Sequence, residues 1–272
     1  MLTETSFNTG QTVLNVASGQ DNGPLFVLIH GLTGRWQGYL SIIPKLAERF
    51  TLYALDNRGH GRSQHTTGHY KLADYVADTV AFLRQLKRPL ILLGHSLGGL
   101  IALDIAAQHP QLVHKLILID PALIGTNQTP PESTQGRDYF RLLHKLWTEA
   151  ATPEALAQQL AAHDIPMTMS YAERAAMLFQ TDPDVVLAVL EERSIAGFDY
   201  ISAMRQLTCP TLFVRADPAL WSACSQADIA NTKASIANLT YVAIGGAGHS
   251  VHVDQPQIFL NHLLNFLAVG GE

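Results

Sequence analysis

The chain has 272 residues, 47% of them hydrophobic and only 15% charged, which is enough to bury one sizeable core or a core with an insert. The formal net charge is −5 and no lysine/arginine cluster occurs, which argues against nucleic acid or an anionic membrane surface as partner. No basic region followed by an apolar run opens the sequence, no stretch approaches the roughly 18 apolar residues of a membrane span, and the two cysteines, Cys209 and Cys224, read as thiols of a cytoplasmic protein.

In chain order, Gln11–Ser18 reads as an antiparallel edge strand. Short apolar runs follow at Leu25–His30, Thr51–Asp56, Leu90–His95 and Lys115–Asp120, each of the length of a fully buried strand. Helical spacing of apolar residues fills the gaps at Trp36–Phe50, Lys71–Leu86 and Leu97–Gln108. From Ala122 to Arg205 the alternation stops. A loop is expected over Gly125–Gly136, then helices at Arg137–Ala150, Pro153–His163, Ser170–Gln180 and Asp184–Ser194. Thr152-Pro153 and Asp182-Pro183 have the form of helix starts, a cap residue followed by proline. Strands resume at Thr211–Asp217 and Thr240–Gly245. The pattern predicts an α/β fold: a mostly parallel, doubly wound sheet covered on both faces, from residues 1–121 and 206–272, with a helical cap insert at 122–205.

One motif carries chemistry. Leu90–Leu100 reads LILLGHSLGGL, an apolar strand running into Gly94-His95-Ser96-Leu97-Gly98 and then a helix. This is the G-x-S-x-G nucleophile elbow in strand–turn–helix context. Bare, it occurs by chance in about one chain in ten of this length. Here the turn has a physical use: it lifts Ser96 above the sheet, and Gly94 and Gly98 remove side chains where the backbone is crowded. Three further segments fit. His30-Gly31-Leu32 ends an earlier strand, where Leu32 N–H can join Leu97 N–H in holding an oxyanion, with His30 bracing the loop. Asp56–Ser63, DNRGHGRS, reads as a buried polar network holding neighbouring loops. Gly245–His249 is a glycine-rich turn after the last strand, which singles out His249 as the base among twelve histidines, with His252 as the decoy. Asp217, at a strand end, is the expected acid. Asp120, at another strand end, is its competitor, while Asp228 and Asp254 are weaker options.

Taken together, HGLTG at 30–34, DNRGHGRS at 56–63, GHSLGG at 94–99, LILIDP at 116–121, PTLFVRAD at 210–217 and GAGHSVHVDQP at 246–256 resemble the α/β-hydrolase superfamily, in its capped esterase, C–C hydrolase and haloperoxidase-like branch. The resemblance runs from about Leu25 to Phe266. It implies Ser96, Asp217 and His249 as catalytic triad and the N–H groups of Leu32 and Leu97 as oxyanion hole. One departure stands out: relatives carry a glycine before the acid, in a G-x-x-D run, where this chain has Arg215-Ala216-Asp217.

The expected chemistry is acyl transfer through Ser96 without a cofactor or metal, acting on a small-molecule carboxylic ester with an apolar acyl group. The same triad also suits carbon–carbon bond hydrolysis, lactone opening, or a slow-turnover ligand-binding protein. Pocket candidates are Trp36, Trp147, Met167, Phe179, Phe198 and Trp221, and Arg35, beside the oxyanion loop, is the residue that would favour a carboxylate. The histidines at 60, 65 and 69 lack the company a metal site needs.

Overall fold

The computed structural model describes residues 2–123, 134–164 and 169–269. The strands are β1 (Thr3–Asn8), β2 (Val13–Ser18), β3 (Leu25–Ile29), β4 (Thr51–Leu55), β5 (Leu90–His95), β6 (Val113–Ile119), β7 (Thr211–Arg215) and β8 (Leu239–Ala243). They form one sheet in the order β1-β2-β4-β3-β5-β6-β7-β8. The pairs β1–β2 and β2–β4 are antiparallel, and every pair from β4 to β8 is parallel. The edge strand is thus β1, a polar hexapeptide, and the strand expected over Gln11–Ser18 lies one place inside it as β2.

The lack of polar alternation in the central strands has a direct cause: both faces are covered. Along β3, Leu25, Val27 and Ile29 face one core, while Phe26 and Leu28 face the other. The same division holds for Leu90 and Leu92 against Ile91 and Leu93 in β5. On the first face pack α2 (Leu72–Gln85), α3 (Leu97–Gln108) and α9 (Gln226–Ser235). On the second lie the short α1 (Ile43–Leu46), α10 (Val251–Asp254) and α11 (Pro256–Ala268). Helix α3 is buried over nearly its whole length, as its LGGLIALDIAA sequence requires. At about 1.5–3 kcal/mol for each fully buried leucine, isoleucine, valine or phenylalanine, these two cores supply the main folding force.

Between β6 and β7 the chain forms α4 (Thr134–Glu149), α5 (Pro153–Ala162), α6 (Tyr171–Leu178), α7 (Asp184–Leu190) and α8 (Tyr200–Arg205). Four match the helices expected there, while the six residues of α8 were not anticipated. Thr152 caps α5 by accepting the Ala155 N–H at 3.2 Å. Asp182 accepts the Asp184 N–H at 3.0 Å, but Pro183 itself occupies the N-cap of α7 without a side-chain cap, so the proline precedes the helix instead of opening it. The loop expected at 125–136 lies mostly outside the described residues, as does Met167.

Two loops at the carboxyl ends of β3 and β4 are cross-braced by a pair of buried histidines. His30 Nε2 accepts the Asn57 N–H at 3.0 Å, so its Nδ1 carries the proton and donates to the Gly31 carbonyl at 2.8 Å. His60 repeats the device in reverse: Nε2 accepts the Thr33 N–H at 3.1 Å and Nδ1 donates to the Arg58 carbonyl at 2.8 Å. Burial pushes His30 down to about 4, and burial with the neighbouring His30 pushes His60 to about 3. The rest of the second loop is equally engaged. Asp56 accepts from Trp36 N–H, Asn15 Nδ2 and Arg62 N–H at 2.8–3.0 Å, and Arg58 forks onto Asp78 at 2.5 and 2.8 Å.

Two outcomes follow from these networks. The histidines are neutral when folded and titrate near 6.5 when unfolded, so the unfolded chain gains protons first as pH falls. Stability should be complete above pH 7 and decline below about 6.5, with each histidine subtracting about 2 kcal/mol by pH 5. Urea midpoints measured at pH 7.5 and pH 5 test this, and a flat midpoint would contradict it. Arg58→Ala leaves the buried Asp78 carboxylate without its partner and should cost about 3–5 kcal/mol in urea unfolding.

Candidate active site

Ser96 sits between β5 and α3 with φ 54° and ψ −118°, a conformation that L residues rarely adopt. Such a residue stores about 1–3 kcal/mol and persists only where the surroundings over-determine it. Here they do. A Cβ on Gly94 would collide with the backbone at Gly98, and one on Gly98 would collide with the Ile29 and His30 carbonyls. The two glycines let α3 descend directly onto β3 and β5, leaving Ser96 at the summit. Its N–H donates to the Ile119 carbonyl at 3.0 Å, and its carbonyl accepts from Ala122 N–H at 3.2 Å.

The loop after β3 faces this summit. A Cβ on Gly31 would lie 2.9 Å from the Ser96 Cβ, so only glycine allows the approach. The Gly31 carbonyl accepts from His30 Nδ1 at 2.8 Å and Gly34 N–H at 3.0 Å. In a trans peptide the C=O and N–H point opposite ways, so those bonds turn the Leu32 N–H away from His30. Leu97 supplies the first amide of α3, which no intrahelical carbonyl reaches, at the positive end of the helix. His30 therefore belongs to the scaffold of this loop.

His249 follows β8 on the Gly245–Gly248 turn. His95, the residue before Ser96, hydrogen-bonds through Nε2 to the His249 carbonyl at 2.9 Å, and the two rings lie 4.6 Å apart. The Ser96 turn and the His249 turn are thus fastened together. His249 Nδ1 is 2.7 Å from Asp120 Oδ2. That carboxylate is fully buried and also accepts from Ala216 N–H at 3.2 Å, Ser222 Oγ at 2.7 Å and Ala223 N–H at 2.8 Å. Burial alone would raise the Asp120 pKa. The bonds from His249, Ser222 and Ala223 outweigh that and hold it below the usual carboxylate range. His252 is buried against Tyr39 and His95, with its pKa pushed down to about 3 by burial.

The acid beside His249 is therefore Asp120, and the expectation of Asp217 is corrected. Strand register explains the difference. His95 pairs with Ile119, so Ser96 and Asp120 leave adjacent strands side by side. Asp217 belongs to the next strand out, two residues past the end of β7. Its carboxylate turns onto backbone, accepting Ala219 N–H at 2.8 Å and Gly246 N–H at 2.7 Å, and these bonds lower its pKa. Asp217 fastens the turn that carries His249 without touching the imidazole. The missing glycine before Asp217 was the signal in the sequence. Of the weaker options, Asp254 accepts Gly248 N–H at 2.8 Å and Asp228 accepts the Tyr200 hydroxyl at 2.7 Å.

Among the pocket candidates, Trp221 meets the site: its ring stands edge-on to His249 at 4.7 Å and is 46% exposed. Phe179 is exposed at the end of α6, and Phe198 is half-buried against the core. Trp36 and Trp147 are buried, each in a different hydrophobic cluster, Trp147 on α4 of the insert. Arg35 donates to Gln180 at 3.1 Å. Cys209 and Cys224 are free and buried. Among the described residues, no group of three or more metal-ligating side chains converges and no helix is long and apolar enough to cross a membrane.

Comparison with known proteins agrees with this geometry. Residues 26–261 match the model of the alpha/beta hydrolase family. The chain is 28% identical over 267 residues to 2-(acetamidomethylene)succinate hydrolase of Mesorhizobium japonicum, covering 95% of this chain and 92% of the relative. It is 28% identical over 263 residues to the sn-1-specific diacylglycerol lipase ABHD11 of Xenopus tropicalis, covering 92% and 79%. A solved structure of E-2-(acetamidomethylene)succinate hydrolase superposes with a TM-score of 0.76 at 27% identity, over 98% of this chain and 99% of the other. With the elbow, the parallel sheet and the family match in agreement, the chain belongs to the alpha/beta hydrolase family, and it is a hydrolase.

Proposed function

We propose that the protein is a serine hydrolase that cleaves a carboxylic ester of a small or medium, uncharged acyl group through an acyl-enzyme. The observation that carries this reading is the buried Asp120 carboxylate bonded to His249, whose own turn is fastened to the nucleophile turn through His95. In this reading Asp120 holds His249 with its Nδ1 protonated, leaving Nε2 as the base. His249 takes the Ser96 proton as Oγ attacks the carbonyl carbon. The oxyanion is held by the N–H groups of Leu32 and Leu97. When the tetrahedral intermediate collapses, the carbon–oxygen bond to the alcohol breaks and His249 returns the proton to that leaving oxygen. Water, deprotonated by His249, then cleaves the acyl-enzyme and frees Ser96.

The helices of residues 122–205 act as a cap over the acyl site in this scheme. The uncharged acyl group is supported by where two arginines point their donors: Arg35 to Gln180, and Arg174 to Thr33. The Mesorhizobium relative is named for a succinate amide, so the competing reading is hydrolysis of an anionic amide. The same catalytic groups would serve it, or would cleave a lactone or a carbon–carbon bond. Two unpaired, buried thiols support a reducing, cytoplasmic setting.

A fluorescent fluorophosphonate and a series of p-nitrophenyl esters, neutral and succinyl, test the reading. The wild-type protein should label stoichiometrically at Ser96 and turn over neutral esters best, and Ser96→Ala should do neither. Asp120→Asn should lower kcat about 10⁴-fold, the loss expected when the histidine is held in the wrong tautomer, while Asp217→Asn should retain most of the rate. Equal losses at both positions would reject Asp120 as the acid. Tight ligand binding without turnover would favour a binding protein instead.

A further inference from the structure

Thr33, in the loop after β3, combines three unusual features. It is a β-branched residue at φ 57°, where such residues are genuine outliers, it is 3% exposed, and its polar groups are all engaged. Its N–H donates to His60 Nε2 at 3.1 Å, and its hydroxyl donates to the Leu32 carbonyl at 2.7 Å. The hydroxyl oxygen and the carbonyl oxygen both accept from Arg174, at 2.9 Å from Nη2 and 3.1 Å from Nη1. Arg174 lies on α6, in the helical segment between β6 and β7, 141 residues further along the chain.

Two of these contacts come from the core and two from the insert. His60 fixes the amide side of Thr33 from beneath. Arg174 grips the other side from above, with one planar guanidinium meeting two acceptors of one residue. A lysine offers one compact ammonium in place of two separated nitrogens in a plane, so it does not reproduce that fork. Gripping Thr33 fixes Leu32 as well, because the Thr33 hydroxyl that receives Arg174 is bonded to the Leu32 carbonyl. The left-handed conformation is unfavourable for a β-branched residue and persists only where its surroundings impose it, and part of that imposition comes from the insert.

We propose that Arg174 is a positioning residue that couples the helical insert to the oxyanion loop: by clamping Thr33 in its left-handed conformation, it aims the Leu32 N–H at the site beside Ser96. The inference rests on the oxyanion role proposed for Leu32. It assigns Arg174 no contact with substrate. When α6 is in place the loop is set from both sides, and when α6 withdraws Thr33 loses two of its holders, leaving Leu32 held only from the Gly31 side, by His30 and the Gly34 N–H. Efficient acylation is thereby confined to molecules whose insert is seated.

The test measures loop order and serine reactivity separately. In Arg174→Ala, amide hydrogen exchange over residues 31–34 should accelerate, and second-order inactivation by a neutral fluorophosphonate should slow about 100-fold, the loss typical of a misaligned site. Labelling should still reach one equivalent at Ser96. Arg174→Lys should fall between, and added guanidinium should restore part of the alanine variant's rate at concentrations that leave the wild type unaffected. For neutral esters the loss should appear in kcat more than in KM. A double-mutant cycle with Thr33→Gly isolates the mechanism, since glycine adopts positive φ without strain. In the Thr33→Gly background, Arg174→Ala should cost less than about twofold. Full additivity in that cycle would overturn the proposal, as would unchanged exchange at 31–34. A defect confined to KM for anionic esters would also overturn it and make Arg174 a substrate clamp. Faster exchange in the variant together with no labelling of the wild-type protein would support the clamp on Thr33 and reject the serine-hydrolase reading.

Discussion

Everything at the carboxyl end of the central strands depends on how closely α3 approaches β3 and β5. The helix begins immediately after the strand, with no connecting loop, and its first turn rests on the carbonyls of Ile29 and His30. A single methyl at Gly94 or Gly98 would lift it away. Because the helix cannot move outward, Ser96 cannot relax, and the strain in its backbone becomes a fixed address for the hydroxyl. The same closeness brings Gly31 against Ser96 and leaves the amide of Leu97 open at the helix end. One packing constraint thus sets Ser96, the neighbouring loop and the local field together.

The polar groups around this point are arranged so that each loop holds another. His30 and His60 exchange bonds across two loops, His95 holds the histidine turn, and Asp217 fastens that turn from its other side. Buried imidazoles suit this work because each offers one donor and one acceptor on opposite sides of a rigid ring. The condition is neutrality, which burial enforces. Asp120 differs: a buried carboxylate with four donors around it, which offset its loss of water.

The sequence conveyed some of this and concealed the rest for physical reasons. The elbow was legible because its spacing and its strand–turn–helix context are both dictated by sterics. His249 was legible because a glycine-rich turn after the last strand marks it. The acid was not, because strand-terminal aspartates at 120 and 217 look alike in one dimension, and only lateral strand order decides which of them stands next to Ser96. β1 was hidden by its polar composition, since this edge strand sends Phe7 to the core and is otherwise largely exposed, leaving little apolar pattern to display. Trp36 and Trp147 looked like pocket residues because periodicity cannot distinguish a core-facing tryptophan from one lining a cleft.

The position of Asp120 has a consequence for how such a chain can be recombined. The carboxylate lies just ahead of the point where the helical segment departs, and its other holders, Ala216, Ser222 and Ala223, follow the return of the chain through β7. Pro121, Ala122 and Leu123 are tied back to the core by Ala122 N–H on the Ser96 carbonyl and by the Cys224 thiol on the Pro121 carbonyl. A chimera that exchanged the helices for those of another hydrolase therefore has a natural seam after Leu123 rather than at the strand end. Cutting two or three residues earlier would replace the residues that tie the chain after Asp120 back to Ser96 and Cys224.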